Sequence, residues 1–283
     1  MDGLSSPNSK RGQLQRACLD LLKEHEADGS IPTSLRFLFY ELVGRGEIPK
    51  AYRNPDGTEK SRKPSQDISV AVTHLRELGL VPWEWIVDET RGLTEWAYGE
   101  TVVDYMRQMV DCARIDLWDG EPPPLILCES RSLSGVLKNV ATRYLASIAS
   151  TNGQTGGFLH TDIGPAVRGG RRVIYLGDLD YAGGHIENNT RRVLEEHGDL
   201  EWTRLAITDV QVQERGLPTI SKPDHRFKPA RYFDAVETEA LNQGEIQRLL
   251  TERLDDMLPE PLWVVRRREN EQRVPVQETL ESL

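Results

Sequence analysis

The sequence predicts an α/β protein in parts: a helical domain over residues 1–98, a connecting helix and proline-rich linker over 99–121, a mainly parallel sheet covered by helices on both faces over 122–265, and a polar tail over 266–283. Three observations carry this reading. Apolar residues recur at helical spacing through the first 80 residues. Beyond "DGEPPP", short apolar runs rich in β-branched residues alternate with helical segments, which is the rhythm of a parallel sheet. The prolines between the two regimes cannot continue a helix.

In order, residues 9–26 place Leu14, Ala17, Cys18, Leu21 and Leu22 on one helix face. Residues 33–45 follow Thr33 or Ser34 as an N-cap and bury Leu35, Leu38, Phe39, Leu42 and Val43. A third helix over 65–79 is capped by Ser65 and stopped by Gly79. "LVPWEWIVDETRGLTEWAYG" then reads as two short strands joined by a turn, with Trp83, Trp85 and Trp96 as packing anchors. Three helices and a hairpin make the outline of a winged helix, whose third helix is placed to enter a major groove.

A helix near 100–118 leads into the proline linker. "LILCE" is a strand, 132–146 a helix, "ASIAST" a strand and 155–168 a helix. "RVIYLGD" is the next strand, 184–197 a helix and "TRLAIT" another strand. No internal repeat and no low-complexity tract interrupts this series.

Composition narrows the function classes. With 38% hydrophobic and 28% charged residues the chain has the balance of a water-soluble domain, and no apolar run approaches the roughly 20 residues of a membrane span. The polar start, "MDGLSSPNSKRG", lacks the apolar core of a signal peptide, and Cys18, Cys112 and Cys128 have no metal-like spacing, so a cytoplasmic protein is expected. A net charge of −10 argues against a large non-specific nucleic-acid surface. Locally the balance reverses: Arg45, Lys50, Arg53, Lys60, Arg62 and Lys63 face only Glu47, Asp56 and Glu59. That run is either a solvated loop or a DNA-facing patch, which Arg76 on the third helix would join.

The chemistry lies in "RRVIYLGDLDYAGGHIENN". Asp has poor strand propensity, yet Asp178 and Asp180 follow a buried strand directly and, two residues apart, project to one side. The strand "LILCE" also ends in a carboxylate, Glu129. Ligands of parallel sheets gather at the carboxyl ends of strands. Three carboxylates meeting there repel one another unless a cation joins them, and hard oxygen donors with room for water and phosphate suit Mg²⁺, with Mn²⁺ able to substitute. The alternative is that each acid caps the helix after it. Asp209, after "RLAIT", is a cap or a further member of the metal shell. His185, on the helix after the acidic motif, is a surface residue or a phosphate contact.

Glu129 at a first strand end followed by "GDLDYAG", matching DxDxxG, resembles a Toprim domain, the fold shared by topoisomerases, DnaG-type primases, OLD-family nucleases and recombination mediators. The later "FDAVETEAL" is similar to a segment that follows Toprim in the A subunit of topoisomerase VI, in the meiotic double-strand-break transesterase and in the nuclease subunit of Wadjet plasmid-defence systems. In those proteins a winged helix precedes Toprim. The resemblance covers roughly residues 10–260 in order and motifs. It implies Mg²⁺-dependent cleavage of double-stranded DNA, a homodimer and, absent any GxxxxGK[ST] motif here, a separate ATPase subunit for any ATP-driven step.

The branch also carries a tyrosine nucleophile in an Arg-x-x-Tyr-Tyr-like motif. The matching stretch is "SLRFLFYEL", with Arg36 and Tyr40 at i and i+4 on one face and Phe39 in place of the first tyrosine. A guanidinium there can bind a scissile phosphate and lower the phenol's pKa. Tyr40 is otherwise a core residue of an apolar helix, and cleavage then proceeds by metal-activated water. Ser130 stands where that branch tends to have lysine. A non-catalytic reading, a winged-helix DNA-binding regulator or a replication or recombination accessory, stands beside these; retention of three mutually repelling acids argues against it.

Overall fold

The computed structural model describes residues 3–87, 95–152, 156–167, 170–224 and 227–283. Three helices open the chain. α1 (Lys10–Asp28) is capped by Ser9, whose hydroxyl accepts from the Gly12 amide. α2 (Leu35–Gly44) is capped by Ser34, which accepts from Phe37. α3 (Pro64–Glu77) begins one residue before the expected Ser65 cap, because Pro64 takes the first helical position, where its missing N–H costs nothing. Gly79 ends it at a φ of 68°, open to glycine without strain. Cys18, Leu21, Leu22, Leu38, Leu42, Ile68 and Leu75 form their shared core.

The segment after α3 departs from the expected hairpin. Pro82 starts a 3₁₀ turn over Trp83–Trp85, and Ile86 makes one parallel bridge to Thr33. Arg76 donates to the carbonyls of Trp83 and Ile86 and draws the segment onto α3. Residues 95–99 carry no strand, and the middle of the expected hairpin, 88–94, lies outside the described residues. Of the three tryptophans expected to anchor a wing, Trp83 and Trp96 are exposed.

The connecting helix is shorter than expected. α4 (Val102–Met109) and a 3₁₀ turn (Val110–Cys112) stop well before Trp118. Asp116 accepts from the amides of Trp118 and Gly120, a turn that drives Trp118 into the core, where its indole N–H donates to the Tyr144 carbonyl.

The sheet then follows: β1 (Leu125–Cys128), α5 (Arg131–Arg143), β2 (Ser147–Ser150), α6 (Gly156–Phe158) with irregular helical turns to Val167, β3 (Arg171–Leu176), α7 (Tyr181–Glu195) and β4 (Leu200–Ala206). All four strands are parallel, in the order β2-β1-β3-β4. Alternate residues serve two cores. Ile126, Cys128, Ile174 and Leu176 face one side, with α5 and α9 (Gln243–Met257), whereas Leu125, Leu127, Val173 and Tyr175 face the turns before β3 and α7. Between lie α8 (Asp209–Arg215) and an antiparallel hairpin of β5 (Ile220–Asp224) and β6 (Arg231–Ala235). The expected polar tail is instead the greater part of a helix, α10 (Leu262–Glu281). Among the described residues no helix is long and apolar enough to cross a membrane.

The helical part and the sheet touch through α2. Phe37 is buried in the sheet's core cluster rather than among its own helices. Gln243, at the start of α9, donates to the carbonyls of Ser30 and Pro32. These contacts set α2 against the carboxyl ends of the strands.

Candidate functional site

The site is built where β1 and β3 end. Cys128 pairs with Leu176, so Glu129 and Gly177 emerge side by side. A Cβ on Gly177 would lie 2.8 Å from Glu129 Oε2, so glycine is what admits the carboxylate over the strand end. Glu129 Oε2 accepts the Asp178 amide at 2.9 Å. Ser130, not Glu129, caps α5 by accepting from Leu133, which frees Glu129 from the competing role. Burial and the neighbouring Asp178 push its carboxyl up to about 7.

Asp178 and Asp180 flank Leu179, whose backbone exchanges hydrogen bonds with Val236; this extended pairing keeps the two side chains on one side. Asp178 Oδ1 accepts from the Thr238 amide at 2.8 Å and hydroxyl at 3.0 Å. Asp180 takes the capping role, Oδ1 accepting from Gly183 at 2.6 Å at the start of α7, while Oδ2 accepts from Lys222 at 2.9 Å. Gly183 is needed there, since a Cβ would fall 2.5 Å from the Asp178 carbonyl. Arg204 braces the strand end by donating to the carbonyls of Gly177, Asp178 and Ile207. Asp209 is exposed in the first turn of α8, where Thr208 supplies the cap, and His185 is exposed and packs edge-on to Tyr181.

A cation already sits among these acids. Lys222 of β5 lies 2.9 Å from Asp180 Oδ2, 3.4 Å from Glu237 Oε1 and 3.5 Å from Asp178 Oδ2. Among the described residues no three His, Cys, Asp or Glu side chains are close enough to hold a metal ion as they stand. The donors are nevertheless of the kind Mg²⁺ or Mn²⁺ takes: hard carboxylate oxygens of Asp178, Asp180 and Glu237 converge on one positive charge, that of Lys222, and these residues could hold such an ion in its place. Tyr175 adds a buried hydroxyl beside Gly177 with no hydrogen-bond partner among the described residues.

Arg36 reaches this place from α2. With Glu129, Ser130, Asn152, Asp178 and Thr238 it lines a cavity of about 190 Å³, so an arginine and two acids border one small polar space. Its side chain pairs with Glu239 through Nε and Nη2. Burial disfavours the Arg36 charge, but Glu239 outweighs it and raises its pKa; burial also raises Glu239. We read the pair as charged, since a guanidinium is not deprotonated in proteins.

Tyr40 departs from the sequence expectation. Burial, and then a hydrogen bond from its phenol to Glu237, raise its pKa rather than lower it. Arg36 cannot reverse this because its charge is directed to Glu239, and it lies only over the ring face, 5.5 Å from the centroid. Tyr40 lines a separate cavity behind Glu237 and Glu239, away from the one Glu129 and Asp178 share.

The basic residues gather in part. Lys50, Arg53, Lys60, Arg62 and Lys63 line one open cavity of about 670 Å³ together with Lys222. Lys50 also pairs with Glu237 at 3.3 Å, Arg62 with Asp67, and Arg53 with Glu59 at 3.9 Å. Arg76 is not in this cavity, because the Trp83 and Ile86 carbonyls occupy its guanidinium.

Sequence reasoning missed Lys222, Thr238, Glu237, Glu239 and Arg204. The segment "VETEAL" was visible as a motif, yet nothing local to it reveals that its acids meet α2 and β5. Compared with known proteins, the chain matches no family model, no curated protein and no solved structure.

Proposed function

We propose that this chain is a Toprim-type, divalent-metal-dependent DNA-cleaving protein. The observation that carries the proposal is the meeting of Glu129, Asp178 and Arg36, from the ends of two neighbouring strands and from α2, around one small polar cavity. In this reading Asp178 and Asp180, with Glu129 beside them, hold Mg²⁺ or Mn²⁺. A divalent ion there supplies Lewis-acid stabilisation of charge on the reacting phosphate and activation of water. Arg36 orients the phosphate, Thr238 and Arg204 fix the Asp178 carboxylate and backbone, and the cavity's cations bind the flanking backbone of double-stranded DNA.

Water is the favoured nucleophile within one chain, since burial and the hydrogen bond to Glu237 hold the Tyr40 phenol protonated and it does not line the cavity of Glu129 and Asp178. The resemblance keeps a second arrangement in view, a homodimer in which one protomer's Tyr40 meets its partner's acids. The winged-helix assignment of residues 1–98, a cytoplasmic setting and an ATPase partner belong to the same proposal; all three cysteines are free, as a reducing compartment would leave them.

A non-catalytic DNA-binding or accessory role is favoured by one observation, the Lys222 ammonium already neutralising the acids. Incubation of the full chain with supercoiled plasmid and Mn²⁺, with and without proteinase treatment, separates the readings. Nicked or linear product that runs freely without proteinase supports hydrolysis, and product released only by proteinase supports a tyrosine adduct. Unchanged plasmid supports the accessory role.

A further inference from the structure

Lys222 stands where a cluster of acids borders a cavity rich in positive charge. Asp178, Asp180 and Glu237 lie 3.5, 2.9 and 3.4 Å from its ammonium. It also lines the open cavity with Lys50, Arg53, Lys60, Arg62 and Lys63, a cavity whose wall includes Glu59 and Glu237. Its backbone is fixed at mid-strand, paired with Phe233 across the β5–β6 hairpin. Its side chain is not locked in the same way: it is a third exposed and has four rotatable bonds. A rotamer change alone can therefore carry the ammonium from the carboxylates toward the cavity, with no movement of the sheet.

The acids need a cation in that seat whatever the state of the site. Two cations cannot share it, because a divalent ion between Asp178 and Asp180 and an ammonium in contact with the same oxygens repel strongly at such distances. The displaced ammonium would enter a space already rich in positive charge, which favours the move only if an anion waits there. A nucleic-acid phosphate in the basic cavity meets that need.

Resting on the metal-site reading above, we propose that Lys222 is a two-place cation: it fills the seat among Asp178, Asp180 and Glu237 in the metal-free protein, and moves onto a DNA phosphate when a divalent ion takes that seat. Lys222 is thus a positioning residue that makes metal and DNA bind together. Phosphate that holds the outward Lys222 tightens metal binding, and metal that expels Lys222 tightens DNA binding by the same factor. The protein alone is a weak metal binder, and its acids stay neutralised until substrate arrives.

The test is a calorimetric Mn²⁺ titration of the full chain, of Lys222→Met and of Lys222→Arg, each with and without a short phosphorothioate DNA duplex. Without DNA, Lys222→Met should bind Mn²⁺ at least tenfold more tightly than the unaltered chain, and Lys222→Arg more weakly. DNA should tighten Mn²⁺ binding by the unaltered chain several-fold and leave that of Lys222→Met unchanged. Equal Mn²⁺ affinities across the three proteins, or a DNA effect that survives in Lys222→Met, overturns the inference while leaving the metal site intact. No Mn²⁺ uptake by any of them removes the metal site itself, and the inference with it. If Lys222→Met does not fold, Lys222→Arg decides: unchanged Mn²⁺ affinity overturns the inference.

Discussion

Arg36 and Glu239 form an ion pair in which the Glu239 side chain is almost wholly buried, at 1% exposure, while the Arg36 side chain is 40% exposed. Removing one partner of such a pair leaves an uncompensated charge, whereas removing both need not. Arg36→Met should therefore destabilise the protein by about 2 kcal/mol, below the range for fully buried pairs because water screens Arg36. Arg36→Met/Glu239→Met should recover most of that loss in urea melts, and additive losses would contradict the pairing. Tyr40→Phe removes the hydrogen bond to Glu237 and keeps the ring, so it should cost about 1 kcal/mol and leave DNA cleavage intact. Loss of cleavage at unchanged melting temperature would instead make the phenol oxygen a reactant. At this scale the sequence was only half informative. Asp178, Asp180 and Glu129 stood out because acids at the ends of buried strands violate local propensity, whereas Lys222 and Glu239 sit in unremarkable surroundings and gain meaning only from partners far along the chain.

The elements that local periodicity dictates were the legible ones. β1, α5, β2, β3 and α7 follow from buried runs and amphipathic spacing, since both depend on neighbours in sequence. The β5–β6 hairpin escaped notice because its strands carry Lys222 and Pro223 and lie half-exposed at the margin of the fold, so no apolar alternation marks them. α10 escaped for a different reason: it docks through a charge. Glu269, 5% exposed, accepts from the Ile115 amide at 3.1 Å and pairs with Arg266 and Arg273, each at 2.8 Å. Burial pushes its carboxyl up, but the Ile115 amide and the arginines win and hold it below its ordinary value of 4.5. A carboxyl depressed on folding contributes stability that is present above the unfolded value and lost as pH falls through the folded one. Stability should thus fall below about pH 4.5 partly through this helix. Glu269→Gln should flatten that part of the acid limb in melts taken from pH 6 to pH 3, and at neutral pH it should cost about 2 kcal/mol, because arginines are left without their anion. An unchanged acid limb would show that α10 is held by other contacts.

Over the whole molecule, a net charge of −10 coexists with one cavity that collects six cations, so DNA would be repelled by most of the surface and admitted at one place. Binding of duplex DNA by the full chain should therefore weaken steeply with salt, and Lys60→Ala should lower the slope of log K against log salt by about one without changing the fold. A slope unaltered by Lys60→Ala would place the DNA elsewhere. The arrangement of α2 against the strand ends was not legible from sequence, because Arg36 and Glu239 are joined only by the closing of the whole chain. The central claim is that the acids at the ends of β1 and β3 cleave DNA with a divalent ion. Its most direct test is cleavage of supercoiled plasmid with Mn²⁺ by the unaltered chain, Glu129→Gln and Asp178→Asn, with circular dichroism confirming that all three are folded. Cleavage by the first and none by the folded variants is expected; full cleavage by Asp178→Asn would contradict the claim.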